Sequence, residues 1–88
     1  MEKINFSKLC EFLDEGKQIE FTYDNVFSVI MIEGNDWVII TDFNPCKLAP
    51  KGETKWLISF VKGFKIKDKS VEEIFDNYLY DINSLRIS

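Results

Sequence analysis

The chain is 88 residues long and carries 15 acidic against 11 basic side chains, a formal charge of -4, and no histidine. That length allows one small domain and no second core. Eight Phe, three Tyr and two Trp exclude a disordered or low-complexity chain, and the missing imidazole removes the commonest general base and the commonest metal ligand.

The first predicted element is a helix. Phe6, Leu9, Cys10 and Leu13 follow i, i+3, i+4, i+7 spacing and make one apolar stripe. Asn5 or Ser7 can cap its start, and Gly16 suits the position just past its end. Phe12 lies off the stripe and is available to cover a flank of a sheet. Gln18 to Tyr23 alternates, with Ile19, Phe21 and Tyr23 on one face. Asp24-Asn25 suits a tight turn, because both residues tolerate positive φ. Val26 to Glu33 is the second strand. It is apolar on both faces except at Ser28, which predicts a central position. Gly34-Asn35-Asp36 is a turn signal, and Trp37 to Asp42 completes a three-stranded antiparallel meander.

Phe43 to Thr54 holds Pro45, Pro50 and Gly52, so it reads as a loop or as an interrupted edge strand. Lys55 to Val61 fits either period. Trp56, Ile58 and Phe60 would share a strand face; Leu57, Phe60, Val61 and Phe64 would share a helix face. Thr54 as N-cap and Gly63 as C-cap favour a short helix. Lys65 to Lys69 is polar and alternating. Ser70-Val71-Glu72-Glu73 has the form of a capping box, followed by the helical stripe Val71, Ile74, Phe75 and Tyr78. Ile82 to Ile87 can add an edge strand or stay loose. The predicted architecture is therefore α+β: an N-terminal helix, a three-stranded antiparallel meander and short C-terminal helices, in one domain covering 1–88.

Compartment and chemistry follow from what is sparse. The N-terminus lacks the apolar stretch of a signal peptide. The longest apolar runs, Val26 to Ile32 and Trp37 to Ile40, fall far short of the ~20 residues that span a bilayer. Two cysteines, Cys10 and Cys46, are fewer than a small secreted scaffold carries, so both are expected as reduced thiols in a cytoplasmic protein. Neither has an imidazole to activate it. No C-x-x-C, calcium-loop, Walker or dinucleotide pattern occurs. Asp36 and Asp42 lie at opposite ends of one strand and cannot share an ion. No catalytic residue, metal or cofactor is expected, and the chain reads as a non-enzyme.

The net charge conceals a pattern. Residues 1–46 hold nine acids and three lysines, 47–69 seven lysines and two acids, and 70–88 four acids and one arginine. Two surfaces follow. In a meander, the end of the first helix and the turn between strands two and three share one end of the sheet. That gathers Asp14, Glu15, Glu33 and Asp36 into an acidic rim with Glu20 on the adjoining outer face, suited to a basic groove on a protein partner. Lys55, Lys62, Lys65, Lys67 and Lys69, interleaved with Trp56, Phe60 and Phe64, have the composition of a surface for nucleic acid. One arginine and a negative net charge favour the plainer reading of that band, in which the aromatics are core and the lysines solvated. Exposed aromatics such as Trp56 would instead allow a homo-oligomer.

The stretch Phe64-Lys65-Ile66-Lys67-Asp68-Lys69-Ser70-Val71-Glu72-Glu73-Ile74-Phe75-Asp76 resembles a recurring ending of small acidic proteins from Firmicute prophages and mobile elements. Gly16-Lys17-Gln18-Ile19-Glu20-Phe21-Thr22-Tyr23 resembles their first strand. The element order and acidity are also similar to those of small anti-CRISPR inhibitors from Listeria prophages. That resemblance implies a non-enzymatic phage protein that binds a CRISPR effector nuclease where target DNA would lie. It is one of architecture and charge, and it assigns no role to individual positions. The lysine band at 47–69 departs from it.

Overall fold

A computed structural model describes residues 2–88. Helix α1 (Phe6–Asp14) leads into β1 (Ile19–Tyr23), β2 (Val26–Glu33), β3 (Asp36–Thr41) and β4 (Asn44–Pro50). Helix α2 (Thr54–Gly63), the small hairpin β5 (Lys65–Ile66) and β6 (Lys69–Ser70), helix α3 (Val71–Asp76), a 3-10 turn (Ile82–Ser84) and β7 (Arg86–Ile87) follow. The main sheet is antiparallel and five-stranded, in the order β4-β3-β2-β1-β7.

The fold is α+β, and the three-stranded meander is its centre rather than the whole sheet. Phe43 to Thr54 supplies β4, the interrupted edge strand, with a register shift opposite Trp37/Val38. Prolines are tolerated there because an edge strand needs partners on one side only. Asp42 and Phe43, at φ 47° and 66°, make the tight turn that returns the chain. Asp42 therefore belongs to the turn, and β3 begins one residue earlier than its apolar pattern suggests, at Asp36. At the other edge β7 pairs with β1 through Ile87–Ile19 and Arg86–Glu20.

Helix caps decide where the short helices stop. The Asn5 side chain accepts from the Lys8 N–H at 2.9 Å, so Asn5 and not Ser7 is the cap of α1. At the other end the Gly16 N–H donates to the Leu13 carbonyl and the Lys17 N–H to the Phe12 carbonyl, with Gly16 at φ 80°. This is the Schellman arrangement, and glycine adopts its left-handed position freely. Helix α3 ends in the same way around Tyr78, at φ 53°: Tyr78 N–H donates to Phe75 and Leu79 N–H to Ile74. Tyr78 accordingly lies beyond α3 and is exposed, not on its buried stripe. The capping box of Ser70 and Glu73 is formed. For α2, Thr54 is the first helical residue and Glu53 the cap, with no side-chain hydrogen bond; Gly63 is the last helical residue.

The core lies between the three helices and one face of the sheet. Ile19, Phe21, Ile30, Trp37 and Ile39 from the sheet meet Leu9 and Leu13 of α1, Leu57 and Val61 of α2, and Ile74 and Phe75 of α3. Phe21 and Phe75 pack edge to face at 4.9 Å. Phe60, placed by helical spacing beside Leu57, is exposed instead, and Phe64 is half-buried. A ten-residue helix lying on a sheet buries a narrow stripe, which Leu57 and Val61 fill.

Ser28 is fully buried on the inner face of β2, and its hydroxyl has no hydrogen-bond partner. Ser28→Ala is expected to raise stability by about 1 kcal/mol by removing that desolvated group. Gly16→Ala should lower it by about 1 kcal/mol through backbone strain alone, because an added Cβ would meet nothing within 4 Å. Denaturant midpoints of the two variants at constant m-value check both.

Candidate interaction surfaces

The Cys10 thiol is pushed up by burial and further by Glu72 and Asp76, against a smaller opposing effect of Lys62. It is a poor nucleophile at neutral pH. Cys46 is a free, exposed thiol on the edge strand. Among the described residues no group of three or more His, Cys, Asp or Glu converges to hold a metal ion, and no helix is long and apolar enough to cross a membrane.

The five residues expected at the acidic rim fall into two places. Asp14 and Glu15 border a cleft of about 250 Å³ with Leu13, Ile32, Trp37, Lys51 and Thr54. Glu33 and Asp36, the residues next to Ile32 and Trp37, face each other across β2 and β3. The meander thus brings these four carboxylates to one end of the sheet. Two lysines lie among them. Lys47 pairs with Asp36 at 3.4 Å, and Lys51, whose N–H donates to the Asn35 carbonyl at 2.8 Å, borders the same cleft as Asp14 and Glu15. Glu20 stands apart on the outer sheet face, opposite Arg86 and accepting from Gln18 at 3.2 Å.

The lysine band spreads over α2 and the β5–β6 hairpin. Lys62 meets Glu72 of α3 at 3.8 Å, and Lys67, at the hairpin turn, meets Asp24 at 3.2 Å. Lys55 and Lys65 form no ion pair among the described residues. Lys69 lies on β6 beside the capping box. The aromatics of the band differ from the expectation that they are core. Trp56 and Phe60 are 50% and 51% exposed, one helical turn apart on the outer side of α2, with ring centroids 6.2 Å apart and planes 26° apart. Beyond Phe60 a shallow groove of about 570 Å³ runs between Ser59, Gly63, Phe64 and Lys65.

A third surface is the sheet face opposite the helices. Cross-strand rows there read Arg86–Glu20–Val29–Ile40–Pro45 and Met31–Val38–Lys47. Phe27, 42% exposed, extends the apolar block toward the β3–β4 turn, where the Asp42 N–H donates to the Phe27 carbonyl at 3.0 Å and Phe43 is 90% exposed. The two-sided apolar pattern of Val26 to Ile32 predicts a central strand, and β2 is central. It does not reveal that the second face has no helix over it. Alternation of Val38 and Ile40 with Trp37 and Ile39 is the signal that a second apolar face exists.

Two exposed carboxylates tie the lysine band to the rest of the domain. Asp68 accepts from the Tyr23 hydroxyl at 2.9 Å, and that bond, with its own backbone N–H, holds Asp68 below the usual carboxylate range. The Ser70 backbone N–H and then its hydroxyl do the same for Glu73. A carboxylate with a lower pKa in the folded state stabilises the fold above its ordinary value and loses that contribution as pH falls through the folded value. Stability is therefore expected to fall below about pH 4 in part through these two groups. Glu73→Gln, which can still cap α3, should flatten this acid limb in a series of denaturant titrations from about pH 5 to about pH 2.

Compared with protein-family models, curated proteins and solved structures, the chain matches none of them.

Proposed function

We propose that this protein is a non-enzymatic interaction protein that binds a protein partner stoichiometrically. One observation carries the reading: the stacked Trp56 and Phe60, half exposed on α2 while Leu57 and Val61 fill the core beneath them. The half of each ring that faces water adds nothing to the domain's own stability. Side chains of this kind dominate the energetics of protein interfaces, where rigid rings bury much area at low entropic cost. The unpaired Lys55 and Lys65 nearby favour an acidic border on the partner.

The sharper form of the reading rests on the resemblance to phage-borne inhibitors. In it the partner is a nucleic-acid-binding defence nuclease, and Asp14, Glu15, Glu33 and Asp36 are offered to its basic groove in place of phosphates. Lys47 and Lys51 weaken such mimicry by lying among those carboxylates. The same two rings and lysines favour a second reading, a binder of single-stranded nucleic acid, since bases stack on exposed aromatics. The net charge of -4 opposes it.

Affinity capture from a natural-host lysate, followed by titration of the purified partner, tests the reading. Trp56→Ala with Phe60→Ala is expected to weaken the complex by about 30-fold or more. Charge reversal at Asp14, Glu33 and Asp36 should slow association and reduce its salt dependence if the rim also touches the partner. Partner affinity unchanged in both variants would sink the proposal. A low-salt gel shift with oligonucleotides, lost on substitution of Lys55 and Lys65, would support the second reading instead.

A further inference from the structure

The groove beside α2 and the free edge of β5 together narrow what a partner can present there. From Thr54 to Lys67 the chain holds four lysines and no acid. Of these, Lys55 and Lys65 form no ion pair among the described residues, and Lys62 meets Glu72 at 3.8 Å. The groove of about 570 Å³ is lined by the rings of Phe60 and Phe64, by the small Ser59 and Gly63, and by Lys65. Stacking of Phe60 on Trp56 continues its apolar side along α2. The β5–β6 hairpin adds a backbone edge. Ile66 pairs with Lys69 across a two-residue turn, and the Val71 N–H donates to the Phe64 carbonyl at 2.9 Å. In an antiparallel ladder the pair between those two, Lys65 and Ser70, exchanges no hydrogen bonds. The N–H and C=O of Lys65 therefore point away from β6, the only strand beside β5, and neither has a backbone partner among the described residues. The hairpin turn itself is anchored: the Tyr23 hydroxyl donates to Asp68 at 2.9 Å, and Lys67 meets Asp24 at 3.2 Å.

We propose that the partner docks through an extended acidic segment that adds as a strand to β5 and sets an apolar side chain into the groove beside Phe60. This rests on α2 being the partner-binding surface, and it specifies what that surface takes. Three features select the occupant. A free strand edge is a template for another extended chain, and its hydrogen bonds hold a peptide whatever its sequence. An N–H and a C=O on one residue match a peptide backbone, which offers both groups, whereas a phosphodiester offers acceptors alone. The carbonyls of the last turn of α2, which ends at Gly63, add negative partial charge that favours peptide N–H groups over phosphates. Carboxylates are called for only where lysines stand. Lys65 borders the groove itself and takes the nearer acid. Lys55 stands at the other end of α2, about 12 Å along the axis from Gly63, a span of about four extended residues. The apolar anchor lies between them, on Phe60 and Trp56. Ordering a short segment offsets much of its contact energy, so an isolated peptide binds with a dissociation constant on the order of 10 to 100 μM.

Selection of a randomised display library, of peptides about ten residues long, on the full chain tests the proposal. Enriched peptides are expected to carry an acid beside an apolar residue and to shift the fluorescence of Trp56 on titration, with the buried Trp37 as a constant background. Lys65→Glu should weaken a selected peptide at least about tenfold, and Lys55→Glu several-fold. Both positions are exposed, so the fold is kept. Methylating the peptide's backbone nitrogens one at a time should weaken binding at least about tenfold at one position, the amide that donates to the Lys65 carbonyl. Enrichment without acids overturns the proposal, as does tolerance of Lys65→Glu or an even response to methylation. So does tighter binding of an oligothymidine of about twelve nucleotides than of any selected peptide at about 0.15 M salt. A natural partner captured through Trp56 and Phe60, yet not displaced by the selected peptides, leaves α2 as the binding surface and overturns the strand addition alone. Capture that survives Trp56→Ala with Phe60→Ala overturns both.

Discussion

The fold closes around Phe75. Its ring meets Phe21 of β1 edge to face at 4.9 Å and stacks on Tyr80 at 4.6 Å. Tyr80 in turn holds the N-terminal segment, because the Ile4 N–H donates to its hydroxyl at 2.8 Å and that hydroxyl donates to the Ile4 carbonyl at 2.9 Å. One turn of α3 thus joins the sheet, the C-terminal segment and the chain before α1. Asp76 adds to this by accepting from the Phe6 N–H at 2.9 Å, which satisfies a donor that α1 itself leaves free. In a domain of this size the core is small, so each of these contacts counts for more than it would in a larger one.

All three helices lie on one side of the sheet, where Tyr80 also holds the N-terminal segment. That arrangement fills one core and leaves the other sheet face without a layer. It also leaves α2 with an outer side, and the two largest side chains on that helix face away from the core. The apolar surface on the outside is a consequence of topology acting on a sequence in which β2 and β3 are apolar on both faces. The acidic rim and the lysine band are less separate than linear charge counts suggest. Ion pairs from Lys47 to Asp36, Lys62 to Glu72 and Lys67 to Asp24 cross between the charge blocks. Such exposed pairs add little stability, but they dilute both fields and move the interest from charge to aromatic and apolar surface.

Local signals were legible where one residue's chemistry decides the backbone. Asn5, Gly16, Asp24-Asn25 and the Ser70–Glu73 box each act through a hydrogen bond or a left-handed conformation that few other residues offer, and each is used. Where an unfavoured residue takes such a position, sequence alone misleads. Phe43 in the β3–β4 turn and Tyr78 at the end of α3 both have positive φ, held by neighbouring strand pairing and by the Schellman hydrogen bonds. Tyr78 therefore looked like one more turn of helix, and Phe43 concealed a hairpin. Edge strands were equally hard to read, because β4 and β7 depend on a neighbour already in place for their pairing.

By itself the sequence determined the α+β class, the first helix and its glycine C-cap, the central meander and the start of α3. These depend on periodicity and capping, which act over a few residues. It also determined that the second strand would have apolar residues on both faces. Only the tertiary structure decided which of those faces is covered, how many strands join the sheet, and whether Trp56 and Phe60 lie inside or out. Those outcomes depend on where helices from distant parts of the chain dock, and docking is set by the contacts of Phe75, Tyr80 and the inner sheet face together, not by any local run of residues.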